Sequence, residues 1–200
     1  MRGSVAADFM VFHNFSKNQR YWGIAQNIRG EWKSPAMRFP LYAAVSYTNR
    51  AKFKNELEAT AIDPSTTPQS FPYTNRARIR HTVISLGIKP YFKGAWDAEN
   101  GYNIYGTAGL GILMGQVHNT QSTPINTTLY HVPVRRGTKH FSRLTLDLGI
   151  GAEWPVGGDL FLYGEGKTYI PVSTYPSDYL LNSHYNPLTV YACIGARVLF

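Results

Sequence analysis

The chain has little cysteine, little charge and no long apolar segment. Its single cysteine, Cys193, excludes an internal disulfide framework and a multi-cysteine metal site. No stretch approaches the roughly 18 consecutive apolar residues of a membrane-spanning helix, which excludes a helical membrane protein. Charged residues make up 16% of the 200 residues, against roughly 25% in an ordinary soluble domain. Aromatic residues reach 14% of the chain, which also excludes an intrinsically disordered protein.

The first residues contain no secretion signal. Met1-Arg2-Gly3-Ser4 is not followed by an apolar segment of the length found in signal peptides. We therefore expect a signal peptide to have been removed from this chain, with residues 1–5 forming a remnant of expression or a flexible N-terminus. Because no change of composition divides the remainder, residues 1–200 are predicted to form one domain.

Apolar and polar or small residues alternate with a period of two over most of the chain, which indicates β-strands. One face of the stretch 143–154 carries Leu144, Leu146, Leu148, Ile150, Ala152 and Trp154. Similar alternation predicts eight strands in all, near 6–15, 20–33, 40–54, 76–92, 102–118, 138–154, 159–172 and 188–200.

The connections between these strands differ in length. Long polar loops are predicted at 55–75, 119–137 and 173–186, all at the same end of an up-and-down meander. The only helix-like stretch, Lys54–Ala61, falls inside the first of them. We expect tighter connections at the opposite end.

Eight antiparallel strands without covering helices are expected to close into a barrel, because open sheet edges promote aggregation. The apolar face points inward in a soluble barrel and outward in an outer-membrane barrel. The mixed charges of the other face suit a narrow polar lumen: Arg29, Glu31, Lys89, Arg143, Asp147, Glu153, Glu165, Lys167 and Arg197. Tryptophans near both ends are expected to form aromatic belts at a lipid interface: Trp22, Trp32, Trp96 and Trp154.

The last strand carries the most specific signal. Val190–Phe200 alternates and ends in phenylalanine, and it resembles the terminal strand of bacterial outer-membrane barrels. This resemblance implies that Phe200 is part of an assembly signal read by the barrel-assembly machinery. The eight-strand layout resembles the small barrels of the OmpA transmembrane-domain and OmpX type. It implies an integral protein in the outer membrane of a Gram-negative bacterium.

An eight-stranded barrel is just wide enough to be filled by its own side chains. We therefore expect a plugged lumen rather than a diffusion pore. Charged residues of three consecutive strands are predicted to form one lumenal ion-pair network: Arg143, Asp147, Glu165, Lys167 and Arg197.

Arginines at positions 76, 78 and 80 share one strand face at the long-loop end. Guanidinium groups pair well with phosphate, so lipopolysaccharide is the expected anionic partner. The predicted phosphate-binding set is Arg76, Arg78, Arg80, Arg135, Arg136 and Lys139. A solvated role at the loop bases is an equal alternative. The net charge of +8 does not form an aromatic-interleaved stripe, so nucleic acid is not an expected partner.

His140-Phe141-Ser142 places a possible base and nucleophile on one strand face. This pair resembles the His-x-Ser of outer-membrane lipid A deacylases, which implies His140 and Ser142 as catalytic residues of an acyl hydrolase. The family follows its serine with asparagine, whereas this chain has Arg143, and the nearest later acid, Glu153, belongs to the other face.

The sequence thus favours a non-enzymatic barrel that presents long external loops for adhesion, partner binding or envelope stabilisation, alone or as a subunit of an outer-membrane complex. No metal or other cofactor is expected. Two alternatives remain at this point: the acyl hydrolase, and a soluble lipocalin-like barrel that binds a small hydrophobic ligand.

Overall fold

The computed structural model describes residues 2–15, 20–98, 100–173, 177–181 and 188–200. Strands make up the first half of the chain as β1 (Arg2–Asn14), β2 (Tyr21–Lys33), β3 (Leu41–Ala61), β4 (Ser70–Ile88) and β5 (Tyr91–Lys93). The second half contains β6 (Asn103–Gln121), β7 (Tyr130–His131), β8 (Gly137–Gly157), β9 (Leu160–Pro171) and β10 (Thr189–Leu199). No helix among these residues is long and apolar enough to cross a membrane.

The eight long strands form a closed antiparallel barrel. Each pairs with the next long strand along the chain, and β10 returns to pair with β1 from Ser4↔Leu199 to Asn14↔Thr189. The two short strands lie off this path, since β5 pairs with β6 and β7 pairs with β3. The predicted eight-stranded meander is therefore confirmed. We call the end at which β1 begins the turn end, and the opposite end the loop end.

The outer surface of the barrel is apolar and its interior is polar. Leu110 and Ile194 are 68% and 71% exposed, whereas Asp147 and Arg197 are completely buried. Because side chains alternate between the two faces of a strand, one assignment of faces holds around the barrel. A lipocalin-like barrel requires the reverse, with its apolar face inward. The structure therefore excludes the soluble alternative.

The N-terminal residues are part of the barrel wall rather than a flexible tail. Arg2 and Gly3 pair with Lys33 and Trp32 of β2, and Ser4 pairs with β10. Arg2–Val5, expected to be a remnant of expression or a flexible N-terminus, are thus paired within β1.

The first long loop is shorter than predicted because its sides are strands. β3 and β4 remain paired as far as Thr60↔Ser70, so the predicted loop 55–75 reduces to residues 62–69. The stretch 54–61, which looked helix-like, is strand, because cross-strand pairing with β4 overrides its local helix preference. We call the paired segments Ala51–Ala61 and Ser70–Ile79, together with β7, the external hairpin.

Aromatic rings opposite glycines fill the lumen. The Phe12 ring occupies the space that a Cβ atom at Gly23 would need, and the Phe141 ring does the same at Gly115. Tyrosine rings crowd other lumenal glycines in the same way, as Tyr105 does at Gly151. Glycine at these positions lets a large ring pack closely against the backbone of the neighbouring strand.

Candidate functional site: the sealed lumen and the outer basic surface

Six charged side chains form an ion cluster in the lumen near the turn end. Lys89 Nζ lies 3.0 Å from Glu31 Oε1 and 3.0 Å from Glu153 Oε2. Arg197 Nη2 donates to Glu153 Oε1 at 2.8 Å. Arg29 contacts Glu31 at 2.9 Å and Glu165 at 2.8 Å. The ion cluster therefore comprises Arg29, Glu31, Lys89, Glu153, Glu165 and Arg197, with three charges of each sign.

This arrangement differs from the single network predicted from the sequence. Lys167 Nζ does lie 3.3 Å from Asp147 Oδ2, and Tyr42 donates to the same carboxylate at 2.9 Å. Arg197, however, belongs to the ion cluster, and Glu165 pairs with Arg29 across the lumen. Arg143 is also buried in the lumen. The prediction considered charged residues of neighbouring strands only. Closure of the barrel also brings side chains from opposite walls into contact, as it does for Arg29 and Glu165.

Trp96 is a lumenal residue and not a member of an aromatic belt. It is buried, its indole Nε1 donates to Glu31 Oε2 at 3.0 Å, and its carbonyl accepts from Arg197 at 2.8 Å. Its loop folds into the turn end of the barrel, where strand parity cannot predict a direction. Trp22 and Trp154 are exposed on the outer surface near opposite ends, and Trp32 is half-buried between β1 and β3.

The loop-end half of the lumen is filled mainly by apolar and aromatic side chains. One buried cluster contains Phe12, Phe53, Leu113 and Phe141. Leu180, in the segment 177–181 of the third loop, packs into the same cluster. Within the described residues, the predicted third loop therefore contributes a lid. Residues 174–176 and 182–186 of that loop lie outside the described residues.

Polar contacts tie this lid to the second loop. Asn119 Nδ2 donates to the carbonyls of Tyr179 at 2.8 Å and Arg135 at 3.2 Å. Arg135 also pairs with Asp178, with Nε 3.3 Å from Oδ2. The loop end is therefore covered by mutually bonded segments.

The external hairpin has an apolar core of its own, beyond the barrel. Ala59, Tyr73, Tyr130 and Val132 are buried together, and Leu57, Phe71 and Ile125 pack against them. The Tyr130 hydroxyl donates to the carbonyl of Pro68 at 3.1 Å. The sequence predicted long polar loops here; this apolar core forms because β7 of the second loop pairs with β3.

The tip of the external hairpin is an ordered turn. Asp63 Oδ1 accepts from the backbone amide of Ser65 at 2.8 Å and from its hydroxyl at 2.7 Å. These two hydrogen bonds favour the carboxylate and lower the pKa of Asp63. Gln69 Nε2 donates to the carbonyls of Pro64 and Thr66, each at 2.7 Å.

A basic surface faces outward just beyond the apolar band. Arg76, Arg78 and Arg80 of β4 are all exposed, as is Lys52, which pairs directly with Arg78 from β3. Arg80 Nε donates to Gln116 Oε1 at 2.6 Å. The three arginines therefore share one surface, as their spacing predicts, and Lys52 is a further cation that the spacing did not indicate.

The other predicted phosphate-binding residues lie elsewhere. Arg135 and Arg136 are exposed in the connection before β8, and Arg135 pairs with Asp178. Lys139 is exposed, but it is opposite Val117, which faces the lumen. Strand parity therefore separates Lys139 from the outer face that carries the arginines.

His140 and Ser142 are both exposed on the outer face of β8. His140 Nε2 lies 3.1 Å from Gln116 Nε2, which extends the row of polar contacts that begins at Arg80. Glu153 is buried in the ion cluster at the opposite end of the barrel. The hydrogen bond of His140 thus gives this residue a cross-strand structural role.

Phe200 is the most exposed of the large apolar residues at the turn end. Its amide and carbonyl exchange hydrogen bonds with Gly3 at 2.8 and 2.9 Å, and its ring lies 73% exposed on the outer surface. The final residue therefore extends the seam between β10 and β1. In the described part of the chain, no group of three or more His, Cys, Asp or Glu side chains is placed to hold a metal ion.

The chain resembles known proteins in its fold. No family model matches the chain, and no curated protein does. Neisserial surface protein A matches with a TM-score of 0.58 and 14% identity, over 99% of this chain and 97% of that one. A major outer membrane protein of Thermus thermophilus matches with a TM-score of 0.52 and 11% identity, over 99% of each chain. The N-terminal β-barrel domain of Pseudomonas aeruginosa OprF matches at 0.48 and 12% identity, over 98% and 97%. The first two matches show that the chain has the small eight-stranded barrel fold found in bacterial outer-membrane proteins.

Proposed function

We propose that the protein is an integral outer-membrane barrel that acts as a sealed scaffold without enzymatic activity. The continuous apolar outer surface supports insertion into lipid. The fold of Neisserial surface protein A and of the Thermus protein supports the outer membrane as its location. The turn end then faces the periplasm, and the external hairpin extends outside the cell.

The single observation that carries this proposal is the division of the molecule into a filled barrel and a folded external part. Lys89, Glu153 and Arg197 are completely buried in the ion cluster, and apolar rings fill the lumen above them. A lumen filled in this way supports a role as a structural scaffold, whereas a diffusion pore needs a hydrated lumen. The external hairpin, with its own apolar core, is the part suited to contact other molecules.

We assign adhesion, partner binding or envelope stabilisation to the external hairpin, with the protein acting alone or as a subunit of an outer-membrane complex. A truncated variant tests this assignment. Leu57 and Tyr73 are direct cross-strand partners, so the segment 57–73 can be replaced by a two-residue Asn-Gly turn, which favours hairpins. The pair below it, Glu56 and Thr74, then becomes the end of the hairpin.

The truncated variant is expected to keep the barrel and to lose the surface function. Barrel formation is read from the mobility of unboiled samples in SDS gels. Adhesion is measured as the attachment of expressing bacteria to epithelial cells, and envelope stability is measured from the uptake of a hydrophobic dye. Loss of either function with an unchanged gel shift supports the assignment. Full retention of both functions would overturn it.

Lipid insertion and the sealed lumen are tested with the full-length chain. We expect a gel mobility shift between boiled and unboiled samples, and no stable conductance in planar lipid bilayers. A chain that stays soluble and monomeric without detergent contradicts insertion. Steady single-channel currents contradict the sealed lumen.

A further inference from the structure

The outer surface opens into a groove between β2 and β3, close to the loop end. The two strands pair only as far as Ala25↔Thr48, although β2 begins at Tyr21 and β3 continues to Ala61. A register shift between Thr48 and Ala51 accompanies this separation. The groove has a volume of about 800 Å³, and its lining comprises Val11, Trp22, Gly23, Ile24, Tyr47, Asn49, Lys52, Arg78 and Arg80. Ligand pockets commonly have volumes of roughly 300–1,000 Å³.

Residues of β1, β2 and β3 give part of the groove an apolar lining. Val11, Trp22, Ile24 and Tyr47 are each between 42% and 69% exposed. The Trp22 ring packs against that of His13, with ring centroids 4.5 Å apart, so its indole has a fixed neighbour. An acyl chain in this concave surface is contacted on several sides, and therefore gains more dispersion energy than on a flat wall.

Lys52 of β3 and two arginines of β4 give another part of the groove a cationic lining. Lys52 and Arg78 are direct cross-strand partners, and Arg80 lies on the same face of β4. Like charges placed directly opposite each other destabilise a sheet. Among the described residues, no carboxylate lies within ion-pairing distance of any of the three, although ion pairs are formed elsewhere at this end, as between Lys54 and Glu56. A bound anion would neutralise this cluster.

We propose that the groove binds one molecule of the acylated and phosphorylated glycolipid of the outer leaflet, of the lipid A type. An acyl chain lies along Trp22, Ile24 and Tyr47, and a phosphate contacts Lys52, Arg78 and Arg80. This inference rests on the proposed outer-membrane location and identifies the residues that contact the lipid. The groove thus presents apolar and cationic linings side by side, as a ligand that carries both acyl chains and phosphates requires.

The same arginines border a second cleft on their other side. It has a volume of about 190 Å³, and Ile79, Gln116 and His118 complete its lining. Gln116 accepts the Nε–H of Arg80 and thereby orients the guanidinium between the two clefts. Guanidinium groups held in this way can contact phosphate oxygens by two parallel hydrogen bonds.

Native mass spectrometry of the full-length barrel in detergent micelles tests the proposal. The probes are lipid A, chemically dephosphorylated lipid A and phosphatidylglycerol. The double variant Arg78→Gln/Arg80→Gln removes two cations from the groove. Its matched control, Arg135→Gln/Arg136→Gln, removes two cations at the same end but outside the groove. We expect one retained lipid A on the wild type, affinity lowered at least about tenfold in the groove variant, and no change in the control.

A second pair of variants tests the apolar wall. Trp22→Ala is expected to weaken lipid A binding, whereas Trp154→Ala, which changes an exposed tryptophan at the opposite end, is not. Equal losses in variant and control would overturn the groove as the site. Equal binding of dephosphorylated lipid A or of phosphatidylglycerol would overturn the assignment to lipid A.

Gel mobility of the same unboiled samples distinguishes failure of the groove site from failure of the outer-membrane barrel proposal. A retained mobility shift without lipid A binding refutes the groove site and leaves the membrane barrel intact. Absence of the shift in the wild type refutes the membrane barrel itself. All the substituted side chains are exposed on the outer surface or in a loop, so each variant is expected to keep the shift.

Discussion

Neutralising Glu153 tests whether the ion cluster holds the barrel together. Its carboxylate accepts hydrogen bonds from Lys89 at 3.0 Å, Tyr91 at 2.8 Å and Arg197 at 2.8 Å. Glu153→Gln leaves three buried cations facing only Glu31 and Glu165. Removing one partner of a buried ion pair typically costs about 3–5 kcal/mol. We expect a loss of that size in the free energy of unfolding, measured by urea titration in lipid vesicles.

A double variant separates charge imbalance from loss of packing. Lys89→Met/Glu153→Gln restores equal numbers of buried charges, so we expect it to be more stable than Glu153→Gln alone. The surface control is Glu56→Gln, which removes an exposed pair with Lys54 at 3.3 Å and is expected to cost less than about 1 kcal/mol. A cost at Glu153 no larger than this control, or a double variant that is less stable still, would refute the reasoning.

Four further results are expected. Leu110→Arg places a charge on the lipid-facing surface, which costs about 2–4 kcal/mol near the membrane midplane; normal insertion in a vesicle-folding assay would contradict the assignment of faces. Deleting Phe200 is expected to reduce assembly in cells more than refolding in detergent, and equal losses argue against an assembly signal. Ser142→Ala is expected to leave the mass spectrum of cellular lipid A unchanged, whereas altered acylation would favour a hydrolase. The hydrogen bonds from Ser65 lower the pKa of Asp63, so the Asp63 carboxylate stabilises the turn at neutral pH and this stabilisation is lost as the pH falls through that pKa. An NMR titration midpoint of Asp63 at or above roughly 3.9 contradicts this.

The alternation of residues was sufficient to predict the strands and the two faces of the barrel wall, whereas the mixed charges, the tryptophans and the last strand favoured an outward apolar face. Side chains of a strand alternate with a strict period of two, so Leu110 and Asp147 could be assigned to opposite faces without knowing which strands pair. The arginines at positions 76, 78 and 80 could be placed on one outer surface for the same reason. These inferences depend only on local geometry, and the structure agrees with each of them.

The partners of the lumenal charges depended on closure of the barrel. Arg29 and Glu165 are 136 positions apart in the chain and meet across the lumen. Whether a given cation contacts a given carboxylate depends on strand register and on the depth of each residue along the barrel axis. Trp96 shows the same dependence, because its position follows from the folding of a loop into the turn end.

The structure of the external hairpin also depended on tertiary contacts. The stretch 54–61 has the composition of a helix, yet pairing with β4 and β7 makes it strand. The groove arises because the pairing of β2 with β3 stops at Ala25↔Thr48 while both strands continue, which no single strand's pattern reveals. The sequence by itself determined which residues share a face of the barrel wall, because that property is local. The tertiary structure alone decided the ion pairs, the external core and the groove, because these join residues distant in the chain.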